Sequence, residues 1–184
     1  WNPRDLRLAA AMGNRVLIWD LRDLDRPINK LLPEHEQVTR IYSVVWSPDG
    51  KQLASAGQVK LSESGESSPT IRIWESDSES NRPSSILSGA PQKVDSLAWS
   101  PDGRWIASGA QGGKTMIRNA RLDEVAAIKP ESVIMGMEFS PNPDHPRLVT
   151  WGGLIHDRTG LVEVWDWMSK SGAESEPVRV ARFP

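Results

Sequence analysis

Three histidines, His35, His145 and His156, are the residues of this 184-residue chain best suited to acid–base chemistry or metal ligation. They lie far apart in sequence, without the short spacing that lets neighbouring imidazoles share one ion. The chain has no cysteine, which removes thiolate sites and disulfides. His156 precedes Asp157, a base beside a carboxylate that could orient it, but no Gly-x-Ser-x-Gly turn supplies a nucleophile. A dyad with nothing to activate is a weak basis for catalysis. The sequence therefore assigns no catalytic, cofactor-binding or metal-binding residue, and the chain is expected not to be an enzyme.

The remaining conspicuous chemistry is aromatic. Most of the nine tryptophans fall on a pattern. The turn Trp-Ser-Pro-Asp-Gly occurs at 46–50 and again at 99–103, with looser copies at Trp1-Asn2-Pro3 and Phe139-Ser140-Pro141. These turn aromatics are 45, 53 and 40 residues apart. A second element closes on Trp and an acid, at Val16–Asp20, Ile71–Glu75 and Val162–Asp166, with a weakened copy at 116–120 in which Asn119 takes the tryptophan's place. Self-similarity at 40 to 55 residues marks a repeat protein, whose function is displayed on the loops of a stack. On this pattern the repeated tryptophans are packing residues. Trp105, Trp151 and Trp167 fall outside it, and Trp151 stands where a strand should carry a small residue.

The segments between turns are short, alternating or apolar, and rich in Val, Ile and Trp, so they are strands. In the second unit they fall at roughly 41–46, 52–57, 70–75 and 84–88. Pro presets φ and Gly tolerates positive φ in the Pro-Asp-Gly turns. The small residues of Gln52–Gly57, echoed in 106–109 and 8–11, suit a close approach between sheets. Four-stranded sheets of this kind bury both faces by radial repetition.

The chain resembles the WD40-repeat β-propeller family. The resemblance rests on the two Trp-Ser-Pro-Asp-Gly turns, the Trp19-Asp20 and Trp165-Asp166 pairs and the variant Trp74-Glu75. Six-bladed propellers of the TolB type share the Ser-Pro-Asp-Gly turn but do not usually close the third strand on Val-x-Ile-Trp-Asp. The resemblance implies an all-β chain of antiparallel four-stranded blades in an open, partial propeller. Its blades would be a partial one over 1–32, then 33–88, 89–129 and 130–184. Since WD40 rings usually hold about seven blades, either further blades of a longer chain or a second copy would close this one. The resemblance also implies a buried His–Ser/Thr–Trp–Asp network, for which His35, Ser55 and Trp74 offer three members.

As function it implies a non-catalytic scaffold that binds a protein or peptide partner through loops on the top face. The alternatives are the sensor arm of a larger signalling kinase or NTPase and the propeller domain of a hydrolase. The candidate partner-binding residues are Glu36, Arg40 and Lys93 at the starts of first strands, and Trp151, Ile155, His156 and Arg158 around the loop over 152–160. The Ser/Glu-rich insertion over 58–69 is expected to be a mobile loop. A formal charge of −2 provides no basic field for nucleic acid and no polybasic cluster for a membrane surface. No apolar run approaches the ~18–20 residues of a membrane span. Together with the missing cysteines, this leads us to expect a cytoplasmic protein.

Overall fold

The computed structural model describes residues 1–31, 38–61, 67–78, 82–88, 93–110, 114–119, 121–131, 133–142, 147–153, 160–168 and 177–184, with the backbone alone at 24, 26–31 and 110. The described chain contains strands and turns and forms two compact units, Trp1–Val94 and Asp95–Pro184. All fifteen strands run as meanders, each sheet a set of consecutive strands.

In the first unit, β1 (Arg7–Met12), β2 (Arg15–Asp20) and β3 (Asp23–Leu31) form a three-stranded sheet. The second sheet is β4 (Val38–Trp46), β5 (Gln52–Lys60), β6 (Ser67–Glu75) and β7 (Ser85–Ser88). Strand alternation gives the first sheet one face carrying Ala9, Ala11, Val16 and Ile18. That face packs on Ile41, Val44 and Trp46 of β4 and on Leu53 and Trp74 behind them. Small side chains on one sheet thus meet large ones on the next. The Ile41 N–H also donates to the Gly13 carbonyl (2.7 Å), which ties the sheets through backbone.

The second unit repeats the plan with β8 (Val94–Trp99), β9 (Trp105–Ala110), β10 (Thr115–Asn119) and β11 (Glu124–Ile128), then β12 (Val133–Phe139), β13 (Arg147–Gly153), β14 (Gly160–Asp166) and β15 (Val178–Phe183). Here Ala107 and Ile117 meet Ile134, Met137, Phe139, Leu148 and Trp165. A Cβ on Gly109 would lie 2.1 Å from Met137 Cε and 2.7 Å from Ile134 Cγ2, so a larger residue there must displace side chains of the neighbouring sheet. Trp105 and Trp167, outside the sequence pattern, also serve the core: they meet edge to face at 5.3 Å, and Phe139 packs on Trp167 at 6.0 Å. Trp1 does not pack as its repeat position implies, being 76% exposed, and its neighbour Asn2 makes the contacts instead.

The turns are closed locally. At the first, Ser47 Oγ donates to Asp49 Oδ1 (2.6 Å) and accepts from the Gln52 N–H (2.9 Å), while the Lys51 N–H donates to Asp49 Oδ1 (3.1 Å). The second reproduces this with Ser100 Oγ to Asp102 Oδ1 (2.6 Å), Trp105 N–H to Ser100 Oγ (2.9 Å) and Arg104 N–H to Asp102 Oδ1 (3.0 Å). Gly50 and Gly103 hold φ of +72° and +75°, a region that a Cβ disfavours. The two turns differ in the bonds their glycine carbonyls accept. Trp99 Nε1 donates to the Gly103 carbonyl (3.0 Å), whereas the Gly50 carbonyl accepts from Nδ2 of Asn2 (3.0 Å), which precedes β1.

The inner network is present in part. Trp74 Nε1 donates to Ser55 Oγ (2.8 Å), and Trp165 Nε1 to Thr150 Oγ1 (3.1 Å). In the third sheet, register corrects the sequence alignment. Leu53 pairs with Trp74 and Leu148 with Trp165, while Ile106 pairs with Arg118. The tryptophan's position therefore belongs to Arg118, not Asn119. Arg118 is buried and its guanidinium donates to Ser108 Oγ (2.8 Å), reaching the hydroxyl that the indole reaches elsewhere.

The insertion over 58–69 is also ordered differently from expectation. Its described parts lengthen the hairpin: Gln58, Val59 and Lys60 pair with Pro69, Ser68 and Ser67. Backbone pairing there outweighs a loop-like composition, helped by Val59, which enters the unit's core.

Candidate partner-binding surfaces

The first strands of the second and fourth sheets share an irregularity. In β4, Ile41 pairs with Gly57 and Ser43 with Ala56, so Tyr42 is an extra residue. In β12, Ile134 pairs with Gly152 and Gly136 with Trp151, so Met135 is extra at the same place. A β-bulge re-aims the side chain it carries and bends its strand. The bent strand needs room, and glycine supplies it: a Cβ on Gly57 would meet the Arg40 carbonyl at 2.4 Å, and one on Gly152 would meet the Val133 carbonyl at 1.7 Å. Met135 is thereby 75% exposed although its strand neighbours Ile134 and Gly136 are buried.

Around Tyr42 the structure gathers two residues singled out from sequence. Arg40 Cζ lies 5.7 Å from the ring centroid, and Lys93 Nζ lies 4.2 Å from it. Both distances are within the range of cation–π attraction. The Tyr42 hydroxyl donates to Gln58 Oε1 (2.8 Å) on the adjacent strand, which fixes the ring's orientation. Sequence reasoning named the cations because they begin first strands; it missed Tyr42, whose outward turn depends on the bulge.

Trp151, the third described candidate, lies on β13 and is 39% exposed. Its indole covers Gly136, whose Cβ would sit 2.2 Å from Trp151 Cζ2. The corresponding positions of the other sheets, read from the ladders, are Ala11, Ala56 and Gly109. Trp151 is thus the large exception in a series of small residues, as the sequence suggested, and Met135 is exposed beside it. Glu36, Ile155, His156 and Arg158 lie outside the described residues, as do all three histidines.

A cavity of about 550 Å³ in the second unit is lined by Trp99, Pro101, Glu138, Phe139, Ser140, Pro141, Arg147, Val149 and Val164. Its one hydroxyl from serine, Ser140, accepts from the Asn142 N–H (3.3 Å), and the lining contains no histidine, cysteine or lysine that could activate it. Elsewhere charge serves to hold strands. Glu163, fully buried, accepts from Arg179 (2.8 Å) and from the Glu131 N–H (3.0 Å), and so fastens β15 to β14. No group of three or more His, Cys, Asp or Glu among the described residues is arranged to hold a metal ion, and no helix there is long and apolar enough to cross a membrane.

Comparison with known proteins agrees with the geometry. The WD domain, G-beta repeat family model matches residues 26–75 and 81–118. A chain in the crystal structure of a mitotic checkpoint complex superposes with a TM-score of 0.72 at 18% identity, covering 99% of this chain and 51% of that one. WD40 repeats thus occupy 26–75 and 81–118, and the antiparallel sheets match propeller blades in fold.

Among curated proteins it is 26% identical over 122 residues to the target of rapamycin complex subunit wat1 of Schizosaccharomyces pombe, covering 65% of this chain and 33% of that protein. It is 27% identical over 128 residues to coronin-7 of Rattus norvegicus, covering 66% and 13%. It is 29% identical over 135 residues to protein HIRA of Caenorhabditis elegans, covering 61% and 14%. The chain spans a third or less of the length of each of these relatives.

Proposed function

We propose that this chain is a non-catalytic scaffold that holds a protein or peptide partner on the bulged ends of its blades. The observation that carries the reading is the shared bulge, which turns Tyr42 and Met135 out of the sheet at equivalent positions while glycine accommodates the bent backbone. Rigid sheets with a few large side chains displayed at their ends suit recognition by a small number of anchors. One curated relative is named as a complex subunit, in keeping with this role.

Site-specific photocrosslinking tests it. A benzoylphenylalanine at Tyr42 or at Met135 should capture discrete protein partners in cells. The same group at Lys51 or Arg104, beside the Ser-Pro-Asp-Gly turns at the other end of the strands, should not. Equal labelling from both ends, or none from the bulges, would rule the reading out.

A further inference from the structure

We propose that Arg40, Tyr42 and Lys93 form a docking point for an acidic segment of a partner protein, recognised through its carboxylates. This rests on the scaffold reading and names the chemistry of one of its surfaces.

Two cations from separate strand starts are brought to one aromatic ring. Both basic side chains lie against the same ring and so concentrate positive charge on one patch. An anion arriving at this patch is attracted by both. Arg40 is exposed and makes no hydrogen bond or ion pair with a side chain among the described residues, so its planar fork of donors is turned to solvent. A guanidinium of this kind matches a carboxylate with two parallel N–H donors.

The cluster is also held in advance of binding. Tyr42 is fixed by its bond to Gln58, and Arg40 belongs to the strand that Gly57 admits at close range. Long side chains packed against a fixed ring lose less freedom when a ligand arrives. The chain's formal charge of −2 means that its overall field does not draw acidic molecules to the surface, so any attraction must arise locally.

Tyr42 is the single tyrosine of the sequence, which makes the site directly observable. The protein would be prepared with 3-fluorotyrosine and its one ¹⁹F resonance followed while a capped Glu-rich decapeptide is added. The controls are the Gln counterpart and a Gln-based peptide carrying one phosphoserine. A saturable shift with the Glu peptide alone is expected. Affinity should fall about tenfold in Arg40→Gln and in Lys93→Gln and should weaken with added salt. Thermal melts would confirm that both variants stay folded.

The inference fails if the Glu and Gln peptides act alike, or if the charge-neutral variants bind the Glu peptide as tightly as the unaltered chain. A response to the phosphopeptide alone would overturn the carboxylate assignment in favour of phosphate. If no peptide binds while crosslinking at Tyr42 still captures a defined partner, the acidic-segment inference falls and the scaffold reading stands.

Discussion

Trp74 and Ser55 are joined by a hydrogen bond of 2.8 Å from indole to hydroxyl, buried between two strands of one sheet. Trp165 and Thr150 repeat the bond at 3.1 Å. Removing the acceptor leaves a buried N–H without a partner, so Ser55→Ala and Thr150→Val should each cost about 1–2 kcal/mol. Urea titration of the purified chain measures this; a change within error would show that the indole finds another partner. The first sheet offers the converse. Ala10 occupies the acceptor's place opposite Leu17, two residues from Trp19, and Ala10→Ser should gain about 0.5 kcal/mol.

Arg118 stands where the other sheets carry tryptophan, buried and bonded to Ser108. Burial lowers its pKa from the ordinary guanidinium value, opposed by the charge of Glu124. A buried ionic group is often replaced by an apolar one without loss, whereas stripping its partner is costly. Arg118→Leu should therefore leave Tm unchanged or raise it, while Ser108→Ala should lower it. Opposite results in the two melts would mean that the guanidinium bond is worth more than its desolvation.

Gly136 and Trp151 are coupled by contact. Gly136→Ala puts a Cβ into the indole and should cost about 2 kcal/mol. In a Trp151→Ala background the same change should cost under about 1 kcal/mol, since the clash is gone. A double-mutant cycle reads the difference; additive costs would show that the β12 backbone, not the indole, limits the site.

Acid should weaken the turns. The Ser47 hydroxyl and the Lys51 N–H hold the Asp49 carboxyl below its ordinary value. Burial alone would raise Asp102, but bonds from Ser100 and Arg104 outweigh it and lower that carboxyl too. A carboxyl depressed in the folded state contributes stability that is complete above its unfolded pKa and is lost as pH falls through the folded one. Asp20, lowered from 3.8 to about 2 chiefly by its bond from the Arg22 side chain, adds a contribution lost between those values. Stability should thus decline below pH 4, and the Asp49→Asn, Asp102→Asn double variant should decline less steeply. Parallel slopes in urea midpoints from pH 7 to pH 3 would refute this.

Much of the architecture was legible because its signals are local. The turn motif names its own hydrogen bonds, and alternation names the strands. Ser55 and Trp74 could be paired on paper because the family resemblance implies that bond. What escaped depends on register between strands. Whether Arg118 or Asn119 faces the hydroxyl is a shift of one residue, and one residue reverses the face of a side chain. The bulge at Tyr42 is invisible in composition, since its cause is the clearance at Gly57 on another strand. At 58–60 and 67–69 composition misled for the opposite reason: the segment reads as a loop, but the ladder carries these residues on as strands.

In each Ser-Pro-Asp-Gly turn the bonds made by the serine hydroxyl close within six residues, from Ser47 to Gln52 and from Ser100 to Trp105. Contacts that close over so few residues carry little chain-entropy cost and form on the timescale of loop closure, about 10–100 ns. Both turns can therefore assemble before any pair of sheets has met. They give the chain two independent starting points for folding, each of which sets the register of the hairpin growing away from it.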